Sequence, residues 1–439
     1  MKYFKLFVIV VAVAVLFSGC SFRLASSVDE LITPVSPQGD DADVQNALSA
    51  YSNGGFTLKT PEAGEYTTAF SFFDIDGDSQ DESVVFYESA KSLGKTNMAV
   101  IDKSDDKWYV AYNLENENSD VYSLDFSDVN GDGVTELIVF WNYISDSTSH
   151  VLSVYTQNTN GEYSLTEMSD ALTVNNYIVV DIDEDGTQEL MTFAINSGDD
   201  VSSTATLYSF DENSRKTLGT TKLDGHITGY ESIISESKNG KVYIYADAVK
   251  SNGSEMLTEI ILWSDYYGTV ISPYYSYSTG FTKNTSRSVM LCCCDINDDG
   301  LIEVPLDYET NNLPDGVFAA EWNQYENSVM KTVAYSLAVD KDGYQLLLSK
   351  DQLDEIKVGY KQENSELILT DSKEKLVLSI KCVPKSQTGS NAQTDGYSEI
   401  FEKSGYVYLA KTGNDSQIQF SVQELKSCLL YTSPSPRDR

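Results

Sequence analysis

Apolar residues in this chain come in short runs rich in β-branched and aromatic side chains, broken by polar turns. From Glu65 to about Ala334 the runs read as strands: Tyr66–Phe73, Ser83–Tyr87, Asn97–Ile101 and Trp108–Tyr112. The same order recurs at Val121–Ser127, Leu137–Trp141, Val151–Tyr155 and Tyr163–Leu165, and a further unit begins at Thr173–Val180 and Leu190–Ala194. After residue 335 strand-like runs continue at Tyr344–Leu348, Ile356–Tyr360, Leu367–Thr370, Leu376–Val383, Tyr397–Phe401 and Tyr406–Ala410, with a helix expected near Val422–Cys428. Ahead of the strands, a short helix is expected over Asp41–Tyr51.

The turn between the first two strands of a unit carries the distinctive chemistry. Four stretches match one another: Asp74-Ile-Asp76-Gly-Asp78-Ser-Gln-Asp-Glu82, Asp128-Val-Asn130-Gly-Asp132-Gly-Val-Thr-Glu136, Asp181-Ile-Asp183-Glu-Asp185-Gly-Thr-Gln-Glu189 and Asp295-Ile-Asn297-Asp-Asp299-Gly-Leu-Ile-Glu303. Oxygen-bearing side chains stand at positions 1, 3, 5 and 9 of each loop. Alternate carboxylate and amide oxygens that converge on one point describe a site for a hard cation, and Ca²⁺ suits it best, up to four ions in all. The first residues of the loops lie 54, 53 and 114 positions apart, the last close to two periods. Residues 226–248 sit where the missing copy belongs, with a Lys-Asn-Gly turn and without the acids.

A period near 55 with about four strands per unit is the size of a β-propeller blade. The expected fold is therefore mainly β: about five four-stranded propeller-like blades over residues 61–335, followed by a small α+β domain over 336–428. EF-hands are excluded, because they need flanking helices and a bidentate Glu at position 12. Position 12 holds Val85, Val139, Thr192 and Leu306, and both flanks read as strand.

The motif D-x-[DN]-x-D-G-x-x-[DE] followed by apolar residues resembles the FG-GAP or VCBS repeat family, whose loops bind Ca²⁺ on propeller blades as in integrin α-subunit heads. The resemblance covers roughly residues 65–335. Carried over by position, it implies Asp74, Asp76, Asp78 and Glu82 as ligands in loop one, and Asp128, Asn130, Asp132 and Glu136 in loop two. Loop three would use Asp181, Asp183, Asp185 and Glu189, and loop four Asp295, Asn297, Asp299 and Glu303. Two departures stand out. Position 9 is Glu throughout, a longer arm than the family's usual Asp, and loop one has Ser79 where position 6 is otherwise Gly. A competing reading of each loop is an acidic turn that caps its own backbone without an ion.

Charge narrows the partners. The 439 residues carry a formal net charge of −37, which repels nucleic acid. With 41% hydrophobic and 11% aromatic residues the chain is nonetheless equipped to fold.

At the N-terminus Lys2 and Lys5 precede an apolar run from Leu6 to Phe17, then Ser18-Gly19-Cys20. Residues 1–19 thus read as an export signal, and the stretch before Cys20 resembles the lipobox of bacterial lipoproteins, with Phe17 where an aliphatic residue is usual. That resemblance implies lipidation of Cys20, a tether over 20–60, and anchoring at the extracytoplasmic face of the cell membrane. The last residues, 429–439, change character abruptly and read as a non-native tail.

No catalytic set is evident. G-x-S-x-G, H-E-x-x-H and phosphate-cradling G-x-x-x-x-G-K-[ST] motifs are missing, and a Ser–His–Asp arrangement would have to use His150 or His226. Cys292, Cys293 and Cys294 lack zinc spacing and read as strand residues. Trp263, Tyr266, Tyr267, Tyr274, Tyr275 and Tyr277 could stack on sugar or peptide, or simply fill strands. The expectation is a calcium-binding, lipid-anchored surface protein, acting as a non-enzymatic binding, adhesion or scaffold module for a glycan or protein ligand. The alternative is an extracellular enzyme that processes polysaccharide or peptide in a propeller cleft.

Overall fold

The computed structural model describes residues 38–431, apart from 54, 117–119, 144–147, 158–163, 197–200, 212–213, 311, 388–395, 422–424 and 426–428. The export signal, Cys20 and most of the helix expected near Val422–Cys428 lie outside the described residues, as does all but the start of the C-terminal tail.

The chain is mainly β, as its alternating runs predict. Among the described residues, six antiparallel sheets of four or five strands follow one another along it. The first comprises Phe56–Lys59, Glu82–Ser89, Thr96–Ser104 and Lys107–Asn116, with Ser71–Phe73 paired to the second of these. Leu172–Val174, His150–Gln157, Glu136–Asn142 and Val121–Ser127 form the second, with Leu165–Glu167 alongside. The third runs through Asn176–Val180, Glu189–Asn196, Ser202–Asp211 and Ser214–Asp224, and the fourth through Ile227–Ser237, Val242–Lys250, Met256–Ser264 and Thr269–Ile271. The fifth holds Glu303–Asp307, Val317–Glu326, Val329–Val339, Tyr344–Leu348 and Leu429–Tyr431, and the sixth is built from strands between Lys357 and Thr412.

Adjacent sheets stack and share cores. In Glu136–Asn142 every residue but the last is buried, because both faces are covered. Leu137, Val139 and Trp141 point into the core shared with the first sheet, whereas Ile138 and Phe140 point into the one shared with the third. Further cores join third to fourth, fourth to fifth and fifth to sixth. Among the described residues no core joins the first sheet to the sixth, and no sheet closes into a barrel.

The expected boundaries need adjustment. The stretch expected as a tether is folded from Asp40 onward: the helix Asp40–Ser52 inserts Val44 and Leu48 against Val85, Tyr87, Ala99 and Ile101, and Phe56–Lys59 joins the first sheet. The 335/336 division falls inside the strand Val329–Val339. Leu429–Tyr431, the start of the expected tail, pairs with Tyr344–Leu348. Edge pairing needs only backbone donors and acceptors, so residue type gives little warning of it. The acid-free copy matches its reading: Ile227–Ser237 and Val242–Lys250 are joined by a turn closed by Lys238–Lys241 backbone hydrogen bonds of 2.8 and 3.2 Å.

Candidate metal-binding loops

Loops one to three each link two antiparallel strands, loop four follows an isolated bridge at Cys294, and in all four the position-9 glutamate begins the next strand. Phe73 pairs with Glu82, Ser127 with Glu136, Val180 with Glu189, and Cys294 with Glu303. The residue at position 2 is apolar in all four loops, and Ile75, Val129, Ile182 and Ile296 are each buried. That anchor turns its own backbone N–H toward the glutamate: Ile75, Val129, Ile182 and Ile296 donate to an Oε2 at 2.8, 3.0, 3.1 and 3.0 Å. The first aspartate ties the turn in the same way, its Oδ2 accepting the position-6 N–H of Ser79, Gly133, Gly186 and Gly300 at 3.0, 2.9, 3.0 and 2.7 Å. Position 6 has positive φ in every loop, 73° at Ser79 and 82–95° at the three glycines, which is why glycine is the easier residue there.

Each loop is thus tied together by its own aspartates and glutamate, and among the described residues none of these carboxylates takes part in an ion pair. Burial is the main force on the glutamates. It raises the carboxyls of Glu82 and Glu136 to about 7 and that of Glu189 to about 8, and raises Glu303 as well. A cation among these oxygens would favour their ionised form.

The loops differ in what else satisfies the glutamate. In loop two, Glu136 Oε1 accepts from Thr156 Oγ1 at 2.9 Å and Asn130 Nδ2 at 3.3 Å. In loop four, Gln324 Nε2 bridges Glu303 Oε1 at 2.7 Å and Asp299 Oδ2 at 2.8 Å, and Asn297 Nδ2 also reaches Asp299. In loop one Gln80 Nε2 donates to Asp78 Oδ2 at 3.1 Å, but among the described residues no side chain donates to Glu82 or to Glu189 of loop three. Glu82 Oε1 and Asp183 Oδ1 are buried without a hydrogen-bond partner. Here the acids draw together: one ligand atom each from Asp181, Asp183, Asp185 and Glu189 lies within 4.8 Å of the others, as does one each from Asp74, Asp76 and Asp78. These two groups could hold a metal ion.

Thr156 and Gln324 were not singled out by the motif, because they belong to the next strand. Gln324 faces Glu303 across the fifth sheet, and Thr156 flanks the Leu137–Tyr155 pair in the second. Continuing the register, Asp102 stands opposite Glu82 and Ser209 opposite Glu189. Only cross-strand register, invisible in a single motif, could have found them.

Loops two and three lie side by side, and the acid-free hairpin links loop three to loop four. Gly131 of loop two approaches Thr187 of loop three, Glu184 of loop three accepts from Ser237 at 3.0 Å, and Glu236 accepts the loop-four N–H of Ile302 at 2.7 Å. The acid-free hairpin therefore occupies the place between loops three and four that the period assigns to it.

Other sequence candidates fall elsewhere. His150 is buried between Tyr122 and Phe140. His226 Nδ1 lies 3.0 Å from Asp224 Oδ1, and its ring stacks on Phe281, but among the described residues no serine hydroxyl reaches it. Cys293 is buried against Asp247 and Thr258, and burial pushes the Cys292 and Cys294 thiols to about 12; the three cysteines, expected as strand residues, lie outside any strand, with Cys294 forming an isolated bridge to Glu303. Within the aromatic stretch Tyr266, Tyr267 and Tyr277 are exposed, whereas Tyr275 is buried and Tyr274 packs against Tyr325.

No family model matches the chain, and neither does any curated protein. Among solved structures it is matched to a rhamnogalacturonan lyase of Bacillus licheniformis at 14% identity and a TM-score of 0.35, covering 86% of this chain and 76% of that one. An exotype rhamnogalacturonan lyase, YesX, matches at 12% identity and a TM-score of 0.26, covering 87% of this chain and 75% of that one. A Synechocystis apocarotenoid oxygenase mutant matches at 10% identity and a TM-score of 0.26, covering 70% and 69%.

Proposed function

We propose that this chain is a calcium-binding, lipid-anchored protein of the extracytoplasmic membrane face. Its stacked sheets act as a propeller-like scaffold of the FG-GAP or VCBS kind that presents a non-enzymatic binding surface to a glycan or protein. The observation that carries the reading is the pair of acid-only loops whose buried oxygens, Glu82 Oε1 and Asp183 Oδ1, have no partner within the protein. A buried carboxylate oxygen left unmatched costs about 1–3 kcal/mol, and a hard cation is the natural match for several such oxygens at once. Stacked antiparallel sheets, with neighbouring contacts running from loop two through loop three and the acid-free hairpin to loop four, are in keeping with blades. The lipid anchor rests on Cys20 and the residues before it.

Metal analysis of protein dialysed against Ca²⁺, paired with thermal melts before and after EDTA, tests the ion. Full thermal stability in EDTA together with no retained Ca²⁺ would sink it. A glycan and cell-wall array probed with and without EDTA tests the binding role. Loss of fatty-acid labelling in Cys20→Ser tests the anchor independently.

A further inference from the structure

Loop one differs from the other three in what faces its glutamate. A row of residues crosses the first sheet here. Phe73 pairs with Glu82, the step beyond the Ser83–Ile101 pair sets Asp102 opposite Glu82, and Asp102 pairs with Tyr109. Residues directly opposite on neighbouring antiparallel strands share a face of the sheet, with Cβ atoms about 5 Å apart. The counterparts of Asp102 show how far this position reaches. In loop two it is Thr156, whose hydroxyl donates to Glu136 Oε1 at 2.9 Å. In loop four it is Gln324, whose amide donates to Glu303 Oε1 at 2.7 Å. The oxygen that those donors satisfy is the one left buried and without a partner in Glu82. Glu82 itself is 0% exposed, and its Oε2 accepts the N–H groups of Ile75 and Asp76 at 2.8 and 3.3 Å, which aims the carboxylate into the loop.

Asp102 cannot take the donor's part, because an ionised carboxylate only accepts. Its Oδ1 accepts the N–H of Lys103 and its Oδ2 the hydroxyl of Tyr109, each at 2.5 Å, so its orientation is fixed from two strands. Like charges directly opposite in a sheet are destabilising. Among the described residues no lysine or arginine forms an ion pair with Asp74, Asp76, Asp78, Glu82 or Asp102. A proton shared by Glu82 and Asp102 would quiet that pair alone. One oxygen each from Asp74, Asp76 and Asp78 also gathers within 4.8 Å on the same loop, and a hard cation answers both groups of acids at once.

We propose that Asp102, which lies outside the nine-residue motif, is a fifth carboxylate of the loop-one site and tightens its hold on a hard divalent cation. The inference rests on the calcium reading above and adds to it a residue from the next strand. Charge count sets the affinity of such sites. Loop three offers the contrast, since the position opposite Glu189 holds the neutral Ser209.

Calorimetric titration of the full chain with Ca²⁺ tests the assignment through three variants. Asp74→Asn removes the first aspartate of loop one and marks which ion belongs there. Asp102→Thr installs the hydroxyl that loop two uses, and Asp102→Asn keeps the shape of the side chain without its charge. Both Asp102 variants are expected to weaken the ion that Asp74→Asn loses by at least tenfold, with unchanged circular-dichroism spectra. In EDTA, Asp102→Thr is expected to melt no lower than wild type, because a donor then faces Glu82 Oε1; a lower melting temperature would make Asp102 a purely structural acid. A folded Asp102 variant that keeps the wild-type number of ions and their affinities, while Asp74→Asn loses one, overturns the role of Asp102 and leaves the calcium reading standing. An Asp74→Asn chain that loses no ion overturns the proposal as well, and a wild-type chain that takes up no Ca²⁺ overturns both readings.

Discussion

Loops two and four and loops one and three share a backbone, a spacing and a buried glutamate, yet they resolve the same electrostatic problem differently. In loops two and four amide and hydroxyl donors reach the acids: Asn130 and Thr156 in one, Asn297 and Gln324 in the other. In loops one and three the third position is Asp, among the described residues no cross-strand donor reaches the glutamate, and a buried oxygen is left over. In all four loops the nine-residue turn is held by hydrogen bonds from its own backbone to the first aspartate and the glutamate. Whether it demands an ion depends on a neighbouring strand.

The largest test of this contrast is Glu136→Ala. It strands the N–H of Val129, the Asn130 amide and the Thr156 hydroxyl at once, a loss of about 4 kcal/mol at 1–1.5 kcal/mol per buried donor, measured by denaturant unfolding. Glu82→Ala strands fewer donors and is expected to cost about half as much in EDTA. Equal losses at the two sites would remove the distinction.

A glutamate outside the loops supplies the ion-free control. Glu259 is fully buried, accepts from Thr282, Ser272 and the N–H of Asp224, and is held up to about 7 chiefly by burial. Its folded value lies above its unfolded one, so the folded state keeps the proton longer. The stability associated with that proton is complete below about pH 4.5 and is lost as pH rises through 7, up to about 3 kcal/mol. Glu259→Gln should flatten this slope equally in Ca²⁺ and in EDTA, as followed by melts from pH 5 to 8. A slope that changes with Ca²⁺ would tie Glu259 to the loops after all.

Next in size is the ion itself. At tenfold excess over the dissociation constant, Ca²⁺ stabilises by about 1.4 kcal/mol per site. Asp183→Asn should abolish that increment at loop three, whereas Asp299→Asn at loop four should leave the Ca²⁺-dependent rise in Tm unchanged. Conversely, Gln324→Ala together with Asn297→Asp should create a new increment in loop four, read by the same Ca²⁺-dependent melts. The smallest effect is Ser79→Gly, which relieves a side chain held at φ 73° and is expected to gain about 1 kcal/mol with no change in Ca²⁺ stoichiometry.

Much of this was legible in the residues. The period-2 runs predicted strands, the loop spacing marked the sheets, and the Lys-Asn-Gly turn marked the acid-free hairpin between loops three and four. The helix expected at Asp41–Tyr51 is present over Asp40–Ser52. Its docking onto the first sheet was not legible, because an acidic, weakly amphipathic segment gives little sign of which two side chains it will bury. The strand that crosses residue 335 was likewise hidden, since a motif can stop where a sheet continues.

The sequence by itself determined where the chain turns and which oxygens each turn gathers, because those are local matters of spacing, glycine and Asx chemistry within nine residues. The tertiary structure alone decided which turns are already satisfied. Gln324 and Thr156 reach their glutamates from the next strand, and Tyr360 and Tyr408 meet Asp342 only where the sixth sheet packs on the fifth. Hydrogen bonding and desolvation act over about 3 Å in space and take no account of distance along the chain.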